Sequence, residues 1–148
     1  MIYIGVDPGK SGGFSLIDSE SGGAEVNLWD DARFVRRMQE LKASGAQSVA
    51  CVEKVGAMPG QGVAGMFRFG QSFGFIIGVL TALDIPFQLV PPQTWKKEFS
   101  LIHQDKSRSI ETAQRLFPSV NLIPKGCRKP SDGEAESVLM AEWARRKL

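Results

Sequence analysis

Ile2, Ile4 and Val6 recur at alternate positions at the start of the chain and predict a largely buried β-strand that ends at Asp7. Pro8, Gly9, Gly12 and Gly13 then supply a sharp turn, and the apolar residues through 18 predict a returning strand. Ala24 to Trp29 reads as a third strand. Asp30 or Asp31 can cap a helix whose Phe34, Met38 and Leu41 fall on one face, and Gly45 ends it. Ser48 to Glu53 predicts a fourth strand, again buried and again ending in an acid. A helix is expected from Met66 to Asp84, and a fifth strand from Ile85 to Val90, stopped by Pro91 and Pro92. A helical turn over 93–99, a helix over 106–116, a polar loop over 118–131 and a last helix opening at Ser131 complete the pattern.

Two helices carry unusual patterns. Gly70, Gly74, Gly78 and Ala82 form a small-residue ridge at four-residue spacing, which costs helix stability unless packing compensates. The ridge is expected to lie against the sheet or against the same helix of a second subunit. Arg68 and Gln71 interrupt its start, so the uninterrupted apolar part is expected to fall short of the roughly 20 residues of a membrane span. In the last helix Asp132, Glu136, Leu139, Met140 and Trp143 recur at three- and four-residue intervals and share one face. Capping and dipole preference explain an acid at Asp132 but explain Glu136 poorly, because a structural helix directs its acids outward.

A chain of 148 residues with 43% hydrophobic content has room for one ordinary core, so a single domain over 1–148 is expected. Net charge is only +2, but its distribution is uneven: residues 96–129 carry 8 basic and 3 acidic side chains, against 7 and 9 over 1–95. Lys96, Lys97, Lys106 and Arg108 therefore suggest a surface for a polyanion such as nucleic acid, with a solvated basic face as the plainer account. Cys51 and Cys127 lack metal-ligand spacing, which argues against a zinc site or a disulfide framework and fits a reducing cytoplasm. No cleavable signal is visible at the N-terminus.

Asp7 and Glu53 end two apolar strands, an arrangement that can converge on a divalent cation, although either acid alone could be a turn cap or a commonplace strand end. Gly9-Lys10-Ser11 is not a phosphate-binding P-loop, since position 4 is Ile and no helix follows the serine. The glycine-rich loop 54–65 follows Glu53 directly and is a candidate for substrate contact. Phe67 and Phe69 beyond it could stack on unpaired bases or pack in the core. His103 is expected in a loop rather than as a ligand.

The order of elements, with acids ending the first and fourth strands and opening the last helix, is similar to the RNase H-like nuclease fold, an α/β architecture with a mixed five-stranded sheet flanked by helices. Ile4-Gly-Val-Asp-Pro-Gly, Val52-Glu53, Phe69-Gly-Gln with Gly74, and Asp132 with Glu136-Ser-Val-Leu-Met-Ala resemble RuvC-type Holliday junction resolvases, in their compact phage-type branch. The first motif alone also occurs in actin-like ATPases, which need a second domain.

The resemblance implies metal-binding, catalytic carboxylates at Asp7, Glu53, Asp132 and Glu136, and a basic residue near the scissile phosphate at Lys106. It implies two Mg²⁺ or Mn²⁺ ions roughly 4 Å apart. It also implies a homodimer on four-way DNA junctions, acting in the cytoplasm, that of a host where a phage encodes it. Bacterial relatives commonly place two aspartates three residues apart on the last helix, whereas here position 133 is Gly and the acids stand four apart, with Glu134 as the alternative to Asp132. A nuclease for other branched or flapped nucleic acids, and a junction-binding factor without nuclease activity, fit the same pattern.

Overall fold

The computed structural model describes residues 1–56, 60 and 62–148. The part of the predicted substrate loop at 57–59 and 61 lies outside the described residues. The elements run β1 (Ile2–Asp7), β2 (Gly13–Asp18), β3 (Ala24–Leu28), α1 (Asp31–Ala43), β4 (Ser48–Glu53), α2 (Val63–Ala82), β5 (Phe87–Val90), α3 (Pro92–Glu98), α4 (Lys106–Leu116) and α5 (Asp132–Lys147).

The strands form one sheet in the order β3-β2-β1-β4-β5. β1 pairs antiparallel with β2, and parallel with β4 in a register that sets Val6 beside Val52. β4 pairs parallel with β5, Glu53 opposite Val90. The mixed five-stranded sheet and flanking helices are as the sequence predicts.

Alternation along the strands sends successive side chains to opposite faces. Ile4, Val6, Phe14, Leu16, Ala50 and Val52 point to one face and pack with Phe34, Met38 and Leu41 of α1 and Ile76 and Leu80 of α2. Each large apolar side chain buried there contributes about 1.5–3 kcal/mol. Ile17 and Cys51 point to the other face, where Trp95 of α3, Ala113 of α4 and most of α5 cover them. Asp30 caps α1 by accepting a bond from the Arg33 amide at 2.7 Å, and Gly45 follows it with φ +71°.

Five expectations are corrected. α2 starts at Val63 and ends at Ala82, earlier than predicted at both ends. β5 starts at Phe87 rather than Ile85, because the Ile85 amide still bonds the Leu80 carbonyl at 2.9 Å and Pro86 has no amide hydrogen. The glycine ridge of α2 does not lie on the sheet: Gly70, Gly74, Gly78 and Ala82 are exposed, and nothing stands within 4 Å of where their three missing Cβ atoms would be. Only Ile76 and Leu80 of α2 are buried, and at 20 residues it is long and apolar enough to cross a membrane by length and composition, contrary to the expected shortfall.

The fifth correction concerns α5, which is buried on every side from Gly133 to Ala144 rather than along one stripe. Gly5 explains how it fits. A Cβ there would collide with the Ser137 carbonyl and the Ala141 amide, so the helix backbone rests directly on the central strand. Gly133 does the same one turn earlier, where a side chain would strike Ser11 and Gly12 in the β1–β2 turn. The departure at position 133 is therefore a packing requirement.

Candidate active site: a cluster of converging acids

Asp7 shares its strand face with Tyr3 and Gly5, and Glu53 shares its face with Cys51, so both acids point toward α5. They follow the paired residues Val6 and Val52 and end adjacent parallel strands, whose backbones lie about 4.8 Å apart. α5 crosses these strand ends with its first two turns. Ser131 caps the helix by accepting a bond from the Glu134 amide at 3.2 Å, which fixes Asp132 as the first helical residue and Glu136 one turn on. Ser15 and Ser137 pin helix to sheet through a buried bond of 2.6 Å.

Burial raises the pKa of Asp7 well above its ordinary value, and the charges of Glu53, Glu136 and Asp132 raise it further, against a weaker opposing pull from Lys106. Burial also raises Glu53, partly offset by its bond from Trp95, with Glu136 adding to the rise and Lys96 opposing it. The Trp95 indole N–H donates to Glu53 Oε1 at 3.0 Å. Glu136 Oε1 accepts from Ser109 Oγ at 3.2 Å and meets Lys96 Nζ at 3.3 Å. Lys106 bonds Asp132, and that bond holds the lysine pKa up.

Asp7, Glu53, Asp132 and Glu136 thus act on one another, and Lys106 stands among them. Glu134 does not join them. It is buried, its pKa is raised by that burial, and the Leu28 amide and Arg33 on its side oppose the rise. Its Oε2 has no hydrogen-bond partner.

The donor set, all carboxylate oxygen, suits a hard divalent cation, and its mutual repulsion calls for positive charge. Among the described residues no three Asp, Glu, His or Cys side chains close into a coordination group. Lys96 and Lys106 instead hold Glu136 and Asp132.

The predicted nucleic-acid residues are spread around this cluster. Lys97 is exposed, and Lys96 is drawn in toward Glu136 and lies 5.1 Å from the Trp95 ring centre. Arg108 is exposed and pairs with Glu111 at 2.6 Å. Phe67 is 67% exposed, while Phe69 is half-buried with its ring 3.3 Å from where a Cβ of Gly9 would stand, over the turn that follows Asp7. His103 sits in a loop with φ +61°.

Sequence reasoning missed Trp95, Ser109, Lys10 and Arg68. Lys10 and Arg68 line one cleft with Gly9, Gly65 and Phe69. Ser109 carries the signal of a polar residue on the inner face of an amphipathic helix, beside Thr112 and Ala113. The bond from Trp95 joins residues far apart in sequence and leaves no local signal.

In sequence, the chain matches no family model and no curated protein. In structure it is similar to Thermus thermophilus RuvC, with a TM-score of 0.59 at 16% identity over 95% of this chain and 91% of that one. It is similar also to T. thermophilus RuvC in complex with Holliday junction substrate, with a TM-score of 0.64 at 15% identity over 99% and 97% of the two chains. With near-complete coverage of both chains, the mixed five-stranded sheet and its flanking helices have the RNase H-like fold of the RuvC structures.

Proposed function

We propose that this chain is a metal-dependent, structure-selective endonuclease that resolves four-way DNA junctions by phosphodiester hydrolysis. The observation that carries the reading is the half-buried Asp7, raised in pKa by desolvation and by three further carboxylates, at the strand ends of a fold shared with the RuvC structures. One of those structures holds a Holliday junction substrate.

Asp7, Glu53, Glu136 and Asp132 are the residues that would hold a pair of Mg²⁺ or Mn²⁺ ions. Such ions supply Lewis-acid polarisation of the phosphate and a more acidic water. Lys96 and Lys106 have side chains 30% and 75% exposed, so each can exchange its acid for a DNA phosphate when the acids are otherwise neutralised. Lys97 and Arg108, both exposed, would extend the positive surface along α3 and α4, and the exposed Phe67 and half-buried Phe69 would stack on unpaired bases of a branch point.

A homodimer would place two such sites on one junction. The exposed ridge of Gly70, Gly74, Gly78 and Ala82 is the face of α2 that suits close approach of a second copy.

The test is product analysis with a four-way junction, a flap and a linear duplex in Mg²⁺. Paired symmetric nicks in the junction and little cutting of the duplex are expected. Preferential cutting of the flap would replace the resolvase reading by a broader branch nuclease. The lysine pairs on Glu136 and Asp132 favour one alternative, a junction-binding factor without cleavage, and tight junction binding with no products would establish it.

A further inference from the structure

We infer that Trp95 is a positioning residue for Glu53: its buried indole N–H selects the carboxylate orientation and leaves Oε2 as the oxygen offered to a cation. The inference rests on the proposed metal-dependent nuclease and names a determinant that this chain adds to the four acids. Trp95 is fully buried, and an indole has one donor and no acceptor. A position packed among Cys51, Val90 and Leu139 could be filled by an aliphatic side chain with no polar atom to satisfy. Here the N–H is kept and aimed at Glu53 Oε1, 3.0 Å away.

The ring cannot turn within a close-packed core, so the bond constrains the flexible glutamate rather than the reverse. α3, which carries Trp95, is held independently at its far end. Glu98 meets Arg146 at 3.2 Å and Lys147 at 2.8 Å, and the Arg146 guanidinium lies 5.1 Å from the Phe99 ring centre. Pro92 fixes the other end, at the first helical position directly after β5, the strand that pairs with the one bearing Glu53. The helix is thus a rigid bracket between α5 and the strand end.

A hydrogen bond to a liganding carboxylate is typically worth about 10- to 100-fold in metal affinity. Mn²⁺ binding to the full chain without DNA, followed by calorimetry, reads this apart from catalysis. Trp95→Phe should weaken Mn²⁺ binding by about 10-fold. In a Glu53→Asp background, where the shorter acid cannot reach the indole, Trp95→Phe should change affinity by less than about twofold. Because Trp95→Phe also opens core space, 3-benzothienylalanine at position 95 provides a second arm, with the bicyclic volume kept and sulfur in place of N–H. It should reproduce the loss. Wild-type affinity in the benzothienyl protein, or equal losses from Trp95→Phe in both backgrounds, would overturn the inference and leave Trp95 a core residue. A wild-type chain that binds no Mn²⁺ would instead overturn the metal-dependent reading, and the inference with it.

Discussion

Glu142, buried within α5, and Asp7, half-buried at the strand end that faces it, are both desolvated carboxylates, yet the protein treats them in opposite ways. Burial pushes Glu142 up, but Arg145 at 2.7 and 2.8 Å and Arg146 at 2.8 Å outweigh it and hold its pKa low. Asp7 has desolvation and three acids raising it, with only the weaker pull of Lys106 opposing. At the C-terminal end of the helix the chain supplies its own cations. At the N-terminal end it brings acids together and supplies lysines to only two of them, at the helix rather than at the strands. A buried acid with its own arginines is structural cement, whereas one surrounded by other acids is a demand for an outside cation.

The largest effects that test this contrast are on cleavage. Asp7→Asn, Glu53→Gln and Glu136→Gln should each reduce single-turnover junction cleavage to background while gel shifts show junction binding retained. Asp132→Asn should be severely impaired, and Lys106→Ala should slow cleavage at saturating DNA. Full activity of Asp7→Asn and Glu53→Gln in Mg²⁺ would remove the strand ends from the site.

Next comes stability. Glu142→Gln removes the charge that two arginines share, and with those arginines partly exposed the expected loss is about 1–3 kcal/mol in denaturant unfolding. Cleavage per folded molecule should be unchanged. Loss of cleavage without loss of stability would break the distinction between the two ends of α5.

The pH dependence should also differ in sign. Asp7 and Glu53 have folded pKa values above their unfolded values, so without metal they cost stability as pH rises from about 4 through the folded values, and the cost persists above. Glu142 is lowered, so its contribution is present above its unfolded pKa and fades as pH falls through the folded one. Between about pH 4 and pH 7 the Tm of metal-free wild type should therefore fall relative to that of Asp7→Asn, leaving Asp7→Asn a few degrees more stable near pH 7, with Mg²⁺ narrowing the gap. An unchanged Tm in Asp7→Asn would mean that the acid is not repelled.

The smallest expected changes concern the periphery. Lys97→Ala should reduce the slope of log affinity against log salt by roughly 1, as for one lost phosphate contact. Glu134→Gln should cleave like wild type, because its carboxylate faces Arg33 and the Leu28 amide. An inactive Glu134→Gln beside an active Glu136→Gln would reverse the face assigned to the site.

The strand ends were legible in the sequence because a period of two sorts faces unambiguously, and an acid that ends an apolar run stands out. Asp132 and Glu136 were legible for a different reason, since residues four apart on a helix lie about 40° from each other and Glu134 about 160° from Glu136. What misled was the premise that α5 has an outside. Glu134 and Glu142 are as buried as Glu136, and burial alone therefore does not single out a functional acid. Exposure of the α2 ridge was equally hidden, because small residues permit close packing without saying which surface uses it. The bonds from Trp95 to Glu53 and from Ser109 to Glu136 depend on the assembled fold.

The seating of α5 on Gly5 also bears on biogenesis. Ser15 and its partner Ser137 stand 122 residues apart, and at about 5–20 residues per second the ribosome needs on the order of ten seconds to cover that interval. Through that time β1, β2 and β4 can pair, but the face carrying Asp7 and Glu53 lacks its cover, and α5, made after all five strands, brings both the cover and the remaining acids. Under the proposed function, a nascent chain would lack Asp132 and Glu136, and so cleavage, until α5 docks.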